Sequence, residues 1–443
     1  CYYFIYGGQE EDYQKQLTKT YTDLIGKSFF APDWALGNIQ CHYGYRQDSS
    51  PDLPEGEDGV ETVARKYREN EIPLDAIMVD IEWYEYLCTP TDWNDRNFPD
   101  PEGMLQTLAD LNVRFGVIDD PNVTNRDNNA DFVEGDTNGY FVKNRTGETK
   151  LITWPWGGAS GLVDFFNPEA REWWGNQHDM ILGRGEYANE DGSDALGAVC
   201  FWLDMSEPSK YNADWLFWNE EGKSWGNLSE VKNALAMFHH IAIYDKVTEN
   251  NQRTLLLART TIPGDLKYVS PWTGDIQGSW ESMNQQINNG ISMSASGYNY
   301  WGFDIGGFFG QVTDEQFARW IELATFTPIH RLHYFEGGPK EAYTHNATEV
   351  SQKYIGLRYA LMPYTYSLIA DNIIGIGIEE GLGEGGTGVP MTRSLAMNYP
   401  YDENTWNLDT EYMSGNSFLI APMLVAGDQR DVYLPEGDYW YDY

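Results

Sequence analysis

Cysteine is scarce in this chain: Cys1, Cys41, Cys88 and Cys200 are the whole set, and no two stand at CxxC spacing. That excludes a disulfide framework or a cysteine zinc cluster, so the four read as mostly free thiols. No apolar run reaches the roughly 18 residues that a membrane-spanning helix needs. Bases are also few, 29 Lys and Arg against 68 Asp and Glu, for a formal net charge of −39. Such a surface repels nucleic acid and anionic membranes, which excludes polyanionic partners and leaves a neutral substrate compatible. There is no phosphate-binding glycine loop and no metal-ligand spacing, so neither cofactor nor metal is expected.

What the chain has in excess is aromatic surface, with 17 Trp and 30 Tyr. Some rings fill the core. Others suit the wall of a cleft, because flat apolar rings with polar edges pack on sugar faces. The opening stretch, CYYFIYGGQEED, has no basic leader and no cleavage site, and it is expected to be an internal boundary. Sequons at Asn122, Asn144, Asn227 and Asn346 point towards a secreted or extracytoplasmic location, although an Asn-rich chain also produces them by chance.

Short apolar runs alternate with amphipathic stretches in the pattern of βα units. Eight runs stand out, at 34–45, 74–84, 113–121, 197–205, 254–261, 268–275, 291–307 and 325–333. Helix-like segments such as VETVARKYREN, PEGMLQTLADLN, PEAREWWGNQHDMILG and DEQFARWIELA separate them. Eight strands with crossover helices over some 300 residues predict an α/β fold, a (β/α)8 TIM barrel spanning 31–372. Asp80, Asp119, Asp120, Asp204, Asp275 and Asp304 each close one of these runs. In a barrel such ends converge on one face; in a doubly wound sheet, the alternative, they would be spread along a crevice. Residues 121–167 are long for a βα connection and read as an elaborated loop. After 372 the texture changes to strand-like pieces between turns, VPMTRSLAM, NSFLIAPMLVAG and DVYLPEGDYWYDY, so 373–443 read as the beginning of a C-terminal β-sandwich.

Several carboxylates beside Trp residues, without metal or phosphate motifs, point to acid/base and nucleophilic work on a neutral polar ligand. Glycoside hydrolysis fits best, since it needs one carboxylate to attack or steer water and one acid to protonate the leaving oxygen. Asp204 in FWLDMSEP and Asp275 in PWTGDIQGSW are the candidates. A bland reading competes at each, because an Asp at a strand end is often a helix cap or turn former.

FWLDMSEP resembles the nucleophile motif of glycoside hydrolase family 31, and PWTGDIQGSW resembles its acid/base motif. Arg259 stands 16 positions before Asp275 (275 − 259), as in that family, and YWGFDIGGF, FTPIHRLH, RYALMPYTYSL and DVYLPEG follow in family order. The resemblance implies a retaining exo-acting α-glycosidase acting on an oligosaccharide or other α-glycoside, with terminal α-glucose as the leading substrate. It implies Asp204 as nucleophile and Asp275 as general acid/base. Asp80, Arg259 and His333 would hold sugar hydroxyls, Asp304 a hydroxyl or Arg331. Trp202, Trp272, Trp156 and Met205 would line the pocket, with core packing the plain alternative for the rings. Asp119 and Asp120 could reach the pocket, and Glu207 would support the motif from behind. It further implies that 1–30 are the end of an N-terminal β-sandwich and linker, CYYFIYGG being its last strand.

Two positions depart from the commonest pattern: Ser206 and Ile276 stand where Asn is usual. They resemble branches acting on α-xylosides, and a transglycosylase or lyase outcome uses the same two acids. A non-catalytic sugar-binding barrel is the alternative from another class.

Overall fold

The computed structural model describes residues 12–49, 58–85, 88–126, 129–156, 158–190, 193–207, 215–219, 224–379, 382, 384–437 and 439–443. The CYYFIYGG stretch lies outside them. Eight strands occur, one inside each predicted run: β1 Asn38–His42, β2 Ala76–Val79, β3 Arg114–Asp119, β4 Ala198–Leu203, β5 Leu255–Ala258, β6 Ser270–Pro271, β7 Asp304–Ile305 and β8 His330–Leu332. Strands β2 and β5 read AIMV and LLLA and are fully buried, the continuous apolar run expected of a parallel strand covered on both faces.

Helices Val60–Glu69, Pro101–Asp110, Pro168–Gln177, Leu235–Thr248, Trp280–Ala295 and Asp314–Ala324 lie between them. Local chemistry starts several of these. Asp100 and Asn167 accept from the backbone N–H groups of Gly103 and Glu169, each just ahead of a proline at the first helical position. Ser279 and Thr313 cap the last two, accepting from Ser282 and Gln316 N–H. A short side-chain acceptor followed by Pro or a helix former satisfies an orphan N–H and fixes where the crossover turns back.

The chain divides into two compact units, one of residues 41–66 and 75–269, the other of 1–40, 67–74 and 270–443. In the first, β2, β3, β4 and β5 pair in sequence order, all parallel, with Val79 opposite Val117, Asp119 opposite Leu203 and Leu203 opposite Ala258. In the second, residues 38–40 of β1 pair with β8, and β8 pairs with β7, again parallel. Strand β6 is tied to the approach to β7, where Gly302 N–H donates to Pro271 O at 3.0 Å.

Several expectations are revised. In the 291–307 run only Asp304–Ile305 is strand; Ile291–Ala295 continues the helix begun at Trp280, because buried Met283, Ile287, Gly290 and Ser294 keep helical spacing. The 121–167 loop holds its own antiparallel sheet, Asn122–Thr124, Leu151–Trp154 and Gly158–Leu162, and a helix, Ala130–Asn138. Towards the C-terminus, Thr392–Arg393, Tyr412–Ser414 and Phe418–Ile420 form an antiparallel sheet. The middle strand was not foreseen, and DVYLPEGDYWYDY carries no strand among its described residues. Cys41, Cys88 and Cys200 are buried, and no described helix is long and apolar enough to cross a membrane.

The charge imbalance sets an expectation for stability. Raising salt from about 0.01 to 1 M shortens the screening length from about 30 to about 3 Å and relieves repulsion among the surplus acids. The melting temperature should therefore rise with NaCl by at least about 2 °C. A calorimetric scan in which it falls steadily would show that attractive ion pairs outweigh that repulsion.

Candidate active site

Strand β4 explains the position of Asp204. Phe201 and Leu203 are fully buried and Trp202 nearly so, which anchors the strand, and Asp204 follows at its C-terminal end, itself 7% exposed. Alternation along the strand puts Trp202 and Asp204 on the same side. The chain then turns through Met205 at φ 54°, a left-handed conformation that a long side chain adopts only when its surroundings impose it. Met205 N–H donates to Asp204 Oδ1 at 2.7 Å. Arg259 Nη1 lies 3.0 Å from the same oxygen, and Arg259 Nη2 pairs with Glu207. Residues 55 positions apart meet here because Ala258 is in register with Leu203, so the residue after β5 falls beside the residue after β4.

Three more acids end the neighbouring strands. Asp80, after β2, is 3% exposed and accepts from Ile81 N–H at 2.8 Å. Burial pushes its carboxyl well above the usual range, and the charges of Glu82, Asp204 and Asp120 push it further. Asp119 and Asp120 are adjacent yet oppositely tuned. Burial would raise Asp119, but His178 at 3.2 Å and His239 at 2.8 Å hold it down at about 2. Burial takes Asp120 up to about 6, with Asp119 adding, against the donors Cys88, Trp156 and Trp154 on its Oδ2. Trp156, half-buried on the 121–167 segment, donates to that oxygen at 2.9 Å.

The second unit carries the remaining predicted residues. Trp272, 3% exposed, follows β6, and the Arg331 guanidinium lies over its ring at 5.3 Å. Asp275, three residues on, is exposed. Asp304 is fully buried at the start of β7, with its Oδ1 at 2.5 Å from Arg331 Nη2. Burial raises its carboxyl to about 7, and Asp275 adds to this against the pull of Arg331 and Lys340. Gly306 and Gly307 follow at φ 85° and 79°, and a side chain on Gly307 would strike the Gly278 backbone 2.2 Å away. Lys340 Nζ clasps this turn through Gly307 O at 2.7 Å and Gly310 O at 2.9 Å. His333, 2% exposed, follows β8 with its ring 5.0 Å from that of Phe308.

The first unit thus brings together Asp80, Trp202, Asp204, Met205 and Arg259 at strand ends, with Trp156 on Asp120; the second gathers Trp272, Asp275, Asp304 and His333. Sequence reasoning missed His178 and His239. Its available signal was FHHIAI, two of only seven histidines set in an otherwise apolar helix. Among the described residues, no group of three or more His, Cys, Asp or Glu could hold a metal. Carboxylates in such different surroundings are what divided acid and nucleophile duties require.

The family model for the glycosyl hydrolases family 31 TIM-barrel domain matches residues 28–368, and that for the family's C-terminal domain matches 388–443. A probable glucan 1,3-alpha-glucosidase from Arabidopsis thaliana is 31% identical over 97% of this chain and 44% of its own length. Alpha-glucosidase 2 from Bacillus thermoamyloliquefaciens is 31% identical over 100% of the chain and 52% of its own. The chain therefore spans about half the length of these relatives. Among solved structures, a family 31 dextranase from Flavobacterium johnsoniae complexed with isomaltotriose is similar, with a TM-score of 0.82, 29% identity and coverage of 97% of this chain and 50% of that one. A family 31 alpha-xylosidase from a soil metagenome, complexed with xylose, gives a TM-score of 0.79 and 26% identity over 96% of this chain and 61% of its own. The (β/α)8 barrel followed by the beginning of a C-terminal β domain is the architecture these comparisons share with the expected one. The chain belongs to family 31 of the glycosyl hydrolases.

Proposed function

We propose that the protein is a retaining, exo-acting α-glycoside hydrolase that removes a terminal sugar, α-glucose first, from oligosaccharides. Asp204 attacks the anomeric carbon while Asp275 gives its proton to the leaving oxygen, forming a glycosyl-enzyme ester. Asp275 then takes a proton from the water that cleaves the ester, and the α-configuration is restored. The observation that carries the reading is the clamp on Asp204: one carboxylate oxygen held by Met205 N–H and Arg259, at the end of a rigid buried strand. A nucleophile needs that fixed orientation. The exposure of Asp275 supports its role in the second half-reaction, because water can approach the carboxylate that takes its proton.

Asp80, Arg259, His333 and Asp304 are assigned to sugar hydroxyls, and Trp202, Trp272, Trp156 and Met205 to the apolar faces. The domain limits proposed are 1–30, 31–372 and 373–443. An α-xyloside is the second reading, favoured by Ser206 and Ile276 and by the likeness to the alpha-xylosidase structure. Transglycosylation and lyase outcomes share the same first step.

The test uses the complete enzyme with aryl α-glucoside, α-xyloside and α-galactoside, followed by NMR. The α-anomer should appear first, and fastest from the glucoside. Release of the β-anomer first would overturn retention, and an unsaturated product would reassign the second half-reaction.

A further inference from the structure

A chain of hydrogen bonds runs beside the turn that follows Asp204. Asp204 N–H donates to Asp119 O at 3.1 Å. From the same Asp119, Oδ2 accepts from His239 Nε2 at 2.8 Å. His239 Nδ1 faces Ser206 Oγ at 2.7 Å, and Ser206 Oγ lies 3.3 Å from Asp204 O. The Ser206 hydrogen serves one acceptor, so with it on His239 the chain runs from Asp204 N–H through Asp119 and His239 to Ser206, and the left-handed Met205 lies between its two ends.

The proton inventory fixes the direction of the chain. The carboxylate of Asp119 only accepts, so His239 Nε2 carries the hydrogen and Nδ1 of the neutral ring accepts from Ser206. Burial lowers His239 below its usual value and so favours that neutral ring. Asp119 is itself held by Trp174 Nε1 at 3.2 Å and His178 Nε2 at 3.2 Å, so the far end of the chain is anchored in buried structure. Serine, histidine and aspartate stand here in the order of a hydrolase triad, yet they are 3%, 1% and 0% exposed. The Ser206 hydroxyl is taken up by His239, and the order serves orientation.

We propose that Ser206, His239 and Asp119 are positioning residues that hold the strained turn after Asp204 and thereby aim its carboxylate. This rests on Asp204 being the nucleophile. The Ser206 hydroxyl, held by His239, packs against the backbone oxygen of Asp204 and so ties down the far end of the turn. The departure of Ser206 from the usual Asn then has a local partner in His239.

The experiment compares Ser206→Ala, Ser206→Thr, His239→Gln and the Ser206→Ala/His239→Gln double variant in the complete enzyme. His239→Gln keeps an amide donor for Asp119 but replaces the rigid ring acceptor facing Ser206 by a carbonyl on a flexible side chain, and it carries the test should Ser206→Ala fail to fold. With an aryl α-glucoside, Ser206→Ala and His239→Gln should each slow glycosyl-enzyme formation about 10- to 100-fold, because small misplacement of a reacting group has effects of that size. KM and melting temperature should stay near those of the parent, Ser206→Thr should recover most of the rate, and the double variant should be no slower than the slower single one. A folded single variant with the parent's rate would overturn the proposal, as would fully additive losses. Trapping with 5-fluoro-α-glucosyl fluoride and mass spectrometry keeps the two readings apart. Label on a residue other than Asp204 sinks the nucleophile assignment, whereas label on Asp204 with an unaffected Ser206→Ala sinks only the positioning role.

Discussion

Asp204→Ala should lower kcat towards an aryl α-glucoside by about 10⁴-fold or more, the size of effect seen when a covalent nucleophile is removed. The loss should be catalytic rather than structural. Asp204 lies beyond the last residue of β4, and the apolar side chains that anchor the strand are untouched. Arg259 keeps its pairing with Glu207 when the Asp204 carboxylate goes. Its guanidinium therefore still faces the space that the carboxylate leaves, which is a favourable place for a small anion. Added azide should enter there, restore turnover and give the β-glycosyl azide, since the anion attacks from the nucleophile's side and nothing follows to restore the α-configuration. Turnover above about 1% of the parent without azide would remove Asp204 from the mechanism.

For Asp275→Ala the expected result depends on the leaving group. With a poor leaving group the first step should slow by about 10² to 10⁴-fold, the range of general acid catalysis. With a glucosyl fluoride, whose departure needs little protonation, that step should be much less affected. The second step then loses its base in either case, so with the fluoride, whose first step stays fast, glycosyl-enzyme should accumulate as a burst and apparent KM should fall. Stopped-flow measurement of burst size across leaving groups checks this. Equal losses for all leaving groups would assign Asp275 a binding role instead. Asp275 is exposed, so its removal should leave the melting temperature near that of the parent.

Much of the fold was legible because its signals are local. The apolar runs of β2 and β5 say buried parallel strand without any knowledge of their neighbours, and D-P and N-P ahead of two crossover helices announce their caps. The seventh run misled because its residues satisfy two periods at once: ISMSA is apolar enough for a strand, and its helical spacing becomes visible only against Met283, Ile287 and Gly290. The strands inside the 121–167 segment and the middle strand at 412–414 were missed for another reason. Short antiparallel strands are defined by their pairing, and the partners of Leu151–Trp154 and Tyr412–Ser414 are not written in their own residues.

The site divides in the same way. Sequence alone determined that acids stand at strand ends, that Asp204 and Asp275 lie in motifs of one family, and that Trp202 shares a face with Asp204. These follow from order and a period of two. The tertiary structure decided what each acid meets. It put Arg259 and Met205 N–H on one oxygen of Asp204, and it gave Arg331 to Asp304. It separated the neighbours Asp119 and Asp120, one among histidines and held down at about 2, the other under two tryptophans and raised to about 6. It also brought His239, 33 residues further along the chain, onto Ser206. A carboxyl's behaviour is set by burial and by charges and donors within a few ångströms, and those come from segments that only packing brings together.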